Sequence, residues 1–161
     1  MYAMFRRFLL LQALLLWQGG FVFYSAVVVP IGTDLLGSAS AQGEITALVT
    51  VWLNRIGLVF LAILAWDVSA TRDPVARRIV VRQTLGVVAM LLLLLLIYLH
   101  DLMNYFLDPT GRTIAMRRPF RVAHIVYLCT STVHWLLGLA LAWLTLAAWR
   151  AEDRAPTGPA A

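Results

Sequence analysis

The sequence contains little cysteine, no lysine and few charges. Cys129 is the only cysteine among 161 residues, so no intrachain disulfide can form and no C-x-x-C-H haem-attachment motif exists. Charged residues make up 13% of the chain, whereas 61% of its residues are hydrophobic. A soluble domain of this size has too small a core to bury that much apolar surface. The composition therefore predicts an integral membrane protein.

The 13 basic residues are all arginine, and the net charge is +5. In a soluble protein this excess would suggest nucleic-acid binding. Here the arginines stand beside apolar segments, where they set topology and meet anionic headgroups. We therefore expect membrane lipids as partners, with other membrane subunits or further copies of the chain as additional candidates, and no nucleic acid.

Four apolar stretches reach the length of about 20 residues that a spanning helix needs. They cover residues 8–30, 45–66, 79–107 and 120–149. Pro30 and Gly32 predict the end of the first, and "LGSASAQG" predicts a loop after it. The polar, proline-bearing residues 151–161 predict a disordered tail. The fold class is therefore all-α, a membrane four-helix bundle in one domain over residues 1–150.

The arginines also predict the orientation of the bundle. With four spans, eight arginines fall on the side of the two termini and four on the other, and residues 31–44 contain none. Basic residues are enriched in cytoplasmic loops, so both termini should be cytoplasmic, in a multi-pass protein of a bacterial inner membrane. The alternative is a signal peptide cleaved after Ala41, but its apolar segment, residues 8–29, exceeds the 7–15 residues or so of a signal core.

Every predicted span has a polar group in its outer half. At about 1.5 Å of rise per residue, Arg55 lies roughly 15 Å below the outer surface, near the midplane, with Gln18 and His134 at about 18 and 20 Å. His100 and Asp101 lie at roughly 10 Å. The inner half of the third span reads "LGVVAMLLLLLLIYL". This asymmetry predicts a polar interior facing outward above an apolar cytoplasmic half.

The predicted polar interior consists of Gln18, Asn54, Arg55, Asp101 and His134. Because a charge facing lipid near the midplane costs several kcal/mol, we expect Arg55 to point into the bundle and to pair with Asp101. Three interpretations stay open: interhelical packing, attraction of an anionic ligand, and contact with another subunit or a lipid.

Two histidines suggest a second chemistry. His100 and His124 flank the third loop on consecutive antiparallel spans, so their imidazoles could together hold a metal ion or a haem iron. A copper or zinc site would need a third ligand, for which Asp101 or Met103 could serve. The alternative interpretation is that both are polar residues of helix packing. The cofactor therefore stays unknown, with haem or copper as candidates.

The sequence contains no arrangement typical of a catalytic site. Ser131 and His134 stand three residues apart on one span without an aligned carboxylate, and no H-E-x-x-H pair occurs. We predict no catalytic residues and no enzyme.

Three segments resemble a known family. The first span, "LLLWQGGFVFYSAVVVP", the second, "LNRIGLVFLAIL", and the last, "FRVAHIVYLCTSTVHWLLGLALA", are similar to the bacterial relatives of human transmembrane protein 205. The resemblance covers most of residues 8–149. Family-like positions are Trp17, Gly19, Gly20, Pro30, Arg121, His124 and Ser131.

The resemblance implies a four-helix membrane domain without an established reaction, distantly similar to copper-resistance membrane proteins. Arg55, where an uncharged residue is expected, and a shorter third loop depart from the family pattern. The predicted function is a small binding or accessory protein with an outward-facing polar pocket. The alternatives are a metal- or haem-binding protein using His100 and His124, and a structural subunit of a larger membrane complex.

Overall fold

Four long helices account for the regular structure of the chain in the computed structural model, which describes residues 1–107 and 114–155. They are α1 (Tyr2–Leu36), α2 (Ala39–Ala70), α3 (Ala76–Tyr105) and α4 (Arg117–Arg154). Each is long and apolar enough to cross a membrane. The prediction of an all-helical chain with four segments of spanning length is confirmed.

Helix α1 continues through Pro30, where the sequence predicts its end. Two π-helical segments, Leu15–Gly19 and Tyr24–Val28, interrupt its α-helical pattern, and Pro30 follows the second of them. A proline inside a helix clashes with the carbonyl of the preceding turn, and a wider π turn reduces that clash. The helix ends instead at Gly37, whose φ of +58° is a left-handed conformation that glycine adopts without strain.

The predicted loop "LGSASAQG" is also much shorter in the structure. Only Gly37 and Ser38 separate α1 from α2. The Ser38 hydroxyl accepts a hydrogen bond from the backbone N–H of Ala41 at 3.3 Å, which caps the amino terminus of α2. The small polar residues of this segment therefore start a helix.

Helix α4 extends beyond the predicted span at both ends. Residues 151–154, predicted to be disordered, form its last turn. Glu152 and Asp153 in that turn form ion pairs with α1, which explains why it is ordered. The rest of the predicted tail, residues 156–161, and the part of the third loop that includes Arg112 lie outside the described residues.

The apolar core lies between neighbouring helices. Trp17 of α1 stacks on Phe60 of α2 with ring centroids 5.2 Å apart, and Leu93 of α3 and Leu141 of α4 belong to the same buried cluster. Many large apolar side chains face outward, among them Leu48, Trp52, Val87, Leu91, Tyr98 and Trp143. Exposed apolar surface of this extent is typical of a chain that faces lipid or a partner.

Candidate functional site

A fully buried carboxylate stands where α1 and α3 begin and α2 and α4 end. Asp67 of α2 accepts a hydrogen bond from Arg6 Nε at 2.8 Å through Oδ1, and one from Arg82 Nη2 at 2.7 Å through Oδ2. The three side chains are at most 2% exposed. A buried charge is tolerated only when it is paired and hydrogen-bonded, as Asp67 is here.

Asp67 also binds donors beyond the two arginines. Trp149 Nε1 lies 3.1 Å from both carboxylate oxygens, and Thr71 Oγ1 donates to Oδ2 at 3.3 Å. Arg6 comes from α1, Thr71 follows α2, Arg82 comes from α3 and Trp149 from α4. One carboxylate therefore connects all four helices.

Glu152 supplies a second negative charge beside this group. Its carboxylate lies 3.4 Å from Arg6 and 2.8 Å from Arg7, and it accepts the backbone N–H of Arg72 at 2.9 Å. Arg7 pairs in addition with Asp153 at 2.8 Å. We call Arg6, Asp67, Arg82, Trp149 and Glu152 the ionic core.

The ionic core corrects the prediction that the half of the bundle nearer the two termini is apolar. Arg82 lies inside the third predicted span and Asp67 directly follows the second, so both were visible as charges at the borders of apolar stretches. The missed signal is that an acidic and a basic residue border the same turn, which allows them to meet within the bundle.

The turn between α2 and α3 has an ion pair of its own. Asp73 receives hydrogen bonds from Arg78 Nε and Nη2, both at 2.6 Å, and from the backbone N–H of Val75 at 2.9 Å. These donors, chiefly the Arg78 side chain, hold the pKa of the Asp73 carboxyl below its usual range. Asp73 therefore stabilises the start of α3 in its charged form.

Two predicted polar residues meet at the crossing of α1 and α4. Gln18 Nε2 donates to the carbonyl of Trp135 at 3.0 Å, and the Trp17 ring lies edge-on to His134 at 4.6 Å. The helices approach closely because Gly138 has no side chain: a Cβ there would collide with Gln18 and Trp17. Gln18 Oε1 and His134 Nε2 are buried and have no hydrogen-bond partner among the described residues.

The predicted interior residues separate into two groups. Gln18, Asn54 and His134 are buried, at 8%, 8% and 2% exposure. Arg55 and Asp101 are exposed, the latter with 74% of its side chain accessible. A binding role for the buried three stays a prediction.

The proposed pair of Arg55 with Asp101 is wrong. The Arg55 guanidinium lies over the ring of Trp52, 4.9 Å from its centroid, and Asp101 lies 3.6 Å from the neighbouring His100. The adjacent Asn54 takes the buried position on α2, so Arg55, about 100° further around the helix, points away from the other three helices.

Arg55 belongs to a continuous exposed stripe of α2. Leu48, Trp52, Arg55 and Val59 are all exposed, and their spacing of three or four residues places them on one face of the helix. We call these four residues the Arg55 face. Apart from its one arginine, this face is apolar.

The two predicted metal or haem ligands, His100 and His124, have different surroundings. His100 is buried, with Nε2 3.1 Å from the carbonyl of Ala47 and Nδ1 3.5 Å from the Asn104 amide. His124 is exposed and stacks on Phe120 of its own helix. Among the described residues, no three His, Cys, Asp or Glu side chains group as metal ligands do. The structure therefore favours the packing role for His100.

Comparison with known proteins adds no relative. No family model, no curated protein and no solved structure matches the chain.

Proposed function

We propose that the chain is a non-enzymatic accessory subunit of a complex in a bacterial inner membrane, with four spans and both termini in the cytoplasm. Four helices of spanning length and a broad exposed apolar surface support membrane insertion. The arginine distribution supports the orientation, which places the ionic core on the cytoplasmic side.

The observation that carries the accessory role is the position of Arg55. It is the seventeenth of the 32 residues of α2, so it lies near the middle of the span. A guanidinium facing acyl chains at this depth costs several kcal/mol. The Trp52 ring offers a cation–π contact, and no carboxylate of residues 1–107 or 114–155 pairs with the charge. A carboxylate on a second membrane-embedded chain would remove that cost.

A second copy of this chain does not supply that carboxylate. In residues 8–30, 45–66, 79–107 and 120–149 the only acidic residue is Asp101, which lies four residues before the outer end of α3. Arg55 is about 24 Å from the start of its helix. The partner is therefore a different protein that has an aspartate or glutamate near the middle of a transmembrane helix.

Photo-crosslinking in native membranes tests this proposal. A photoreactive amino acid at Val59, one turn from Arg55 on the same face, should give a discrete product with one protein. Arg55→Leu should reduce its yield at least about tenfold, since an unpaired carboxylate would then remain in the partner's span. Arg77→Leu, which removes an exposed arginine outside the apolar spans, is the control and should leave the yield unchanged.

Exchanging the charges of Arg55 and the partner's acidic residue gives a more specific test. Arg55→Asp should abolish the product, and an arginine at the partner's mid-span acid should restore it in that background. The proposal is wrong if Val59 reacts with lipid alone, if Arg55→Leu leaves the product intact, or if the partner lacks a mid-span carboxylate.

The unpaired atoms at the α1–α4 crossing support a second candidate, the predicted binding role. Gln18 Oε1 and His134 Nε2 are buried polar atoms without partners in the described part of the chain, which costs about 1–3 kcal/mol for each. A small ligand with two N–H or O–H donors, such as an amine or an amide, could serve both, because both atoms accept hydrogen bonds: Gln18 Oε1 is an amide oxygen, and His134 uses its other ring nitrogen to donate to the backbone of Ala89. The π-helical turn Leu15–Gly19, a feature often found at functional sites, contains Gln18.

Native mass spectrometry of the protein in mild detergent separates this candidate from the first. The wild type should retain a small bound molecule, and His134→Phe should lose it. His124→Phe changes an exposed histidine of the same helix and should retain the molecule as the wild type does. A wild type without any such mass excludes this binding role and leaves the accessory role unaffected.

A further inference from the structure

A basic groove opens on the surface where α3 begins and α4 ends. Its lining includes Pro74, two alanines of α4 that stand four residues apart, and Ala155 directly after that helix. Three arginines stand around it. The residues are Pro74, Arg78, Ala147, Arg150, Ala151, Arg154 and Ala155. We call this feature the arginine groove.

Two of the three arginines of the arginine groove, Arg150 and Arg154, have no counter-ion within the described residues. The four acidic residues at this end of the molecule are already used: Asp67, Glu152 and Asp153 pair with arginines of the ionic core and with Arg7, and Asp73 pairs with Arg78. Neither Arg150 nor Arg154 forms an ion pair with any residue of 1–107 or 114–155. Two like charges one turn apart on a helix repel each other, so an anion between them would be stabilising.

We propose that the arginine groove binds the phosphodiester of an anionic phospholipid. Arg150 and Arg154 offer two planar guanidinium groups, whose geometry matches phosphate oxygens. Arg78 uses Nε and Nη2 for Asp73, so its Nη1 donors are left for the same phosphate. Because Asp73 neutralises Arg78, the net charge at the groove is that of Arg150 and Arg154.

The surroundings favour a lipid over free phosphate. Trp143 and Leu146, exposed at 75% and 50%, lie on α4 within about one turn of Ala147, on its apolar side. Acyl chains of a lipid could lie along these side chains while the headgroup reaches the arginines. Basic pockets between helices on the cytoplasmic side are a known way to bind anionic headgroups. The groove is on that side in the proposed orientation, on which this inference rests.

Titration of the full-length protein in mild detergent, followed by native mass spectrometry, tests the inference. We compare phosphatidylglycerol, zwitterionic phosphatidylcholine and inorganic phosphate. Arg150→Gln with Arg154→Gln should weaken phosphatidylglycerol binding about thirtyfold, because each arginine near an anionic surface raises the affinity about fivefold. Arg117→Gln with Arg118→Gln, a pair of exposed arginines at the other end of α4, should change it less than about threefold.

The preference between the two lipids decides whether the inference holds. The inference is supported if the wild type prefers phosphatidylglycerol over phosphatidylcholine and the groove variant loses that preference. It is overturned if both lipids bind alike, if the two double variants are equally affected, or if millimolar phosphate displaces the lipid and binds alone. A failure here leaves the Arg55 cross-link untouched, and a failed cross-link leaves this titration valid, so the two proposals are tested separately.

Discussion

Asp67 is the residue on which the packing of the bundle depends most. Its carboxylate faces two arginines, a threonine and a tryptophan, and no solvent reaches it. Removing one partner of a buried ion pair lowers the stability of a protein far more than removing an exposed pair, because the remaining charge stays buried without compensation.

We expect Asp67→Asn to lower the free energy of unfolding by about 3–5 kcal/mol, since it leaves Arg6 and Arg82 buried without a carboxylate between them. Denaturant titration of the purified protein in detergent measures the effect. Asp101→Asn, which changes an exposed acid, is the matched control and should stay within about 0.5 kcal/mol of the wild type. Equal stability of the two variants would show that the ionic core does not hold the helices together.

Asp73 gives the stability of the chain a defined pH dependence. Its native pKa lies below the unfolded value of about 3.9, so its contribution is present above that pH and is lost as the pH falls through the native pKa. Asp73→Asn should therefore destabilise by about 1 kcal/mol between pH 5 and 7, and the difference from the wild type should vanish in stronger acid. A gap that persists after the carboxyl is protonated would assign the effect to something other than the Arg78 pair.

At the residue scale, the sequence correctly predicted the burial of three uncharged polar side chains. Gln18, Asn54 and His134 are buried as expected, because polar side chains without a charge cost less to bury and can bond to a neighbouring helix, as Gln18 does to the Trp135 carbonyl. The prediction for Arg55 was wrong, because Asn54 and Arg55 are adjacent and only one of them can face the bundle. The choice depends on the rotation of α2, which the apolar pattern on both sides leaves open.

At the element scale, the apolar stretches predicted the four helices and missed where they end. Proline and glycine did not predict the helix ends correctly. Helix α1 continues through Pro30, which a preceding π turn accommodates, and Ser38 caps a helix where a loop was predicted. The last turn of α4 was missed because its order comes from ion pairs with α1. Such contacts join residues about 145 positions apart, as Arg7 and Glu152 are, so no local pattern reveals them.

The close crossing of α1 and α4 depends on Gly138. We expect Gly138→Ala to destabilise the protein by about 1–3 kcal/mol, because the added methyl group collides with the rigid Trp17 ring as well as with Gln18. Thermal unfolding in detergent measures the shift. Gly86→Ala in α3 is the control: its methyl group meets no atom within 4 Å and should stabilise the helix by up to about 1 kcal/mol. If both substitutions stabilise the protein, the crossing is looser than the structure indicates.

At the scale of the whole molecule, the two ends of the bundle differ in how they are held. One end is joined by the ionic core and carries most of the arginines, whereas the middle of the molecule relies on apolar packing and on the Gln18–Trp135 contact. The proposed orientation places the ion-paired end and the arginine groove at the cytoplasmic surface and leaves Arg55 alone at mid-depth. The proposals on partner binding, lipid binding and topology thus share one assumption, namely which end of the bundle faces the cytoplasm.

Cysteine accessibility in intact spheroplasts tests that assignment most directly. In a Cys129→Ser background, a membrane-impermeant maleimide should label Leu35→Cys, which is 81% exposed at the end of α1. Arg77→Cys, exposed at the start of α3, should react only after the cells are lysed. Labelling of Arg77→Cys from outside, with Leu35→Cys protected until lysis, would reverse the orientation and contradict the account.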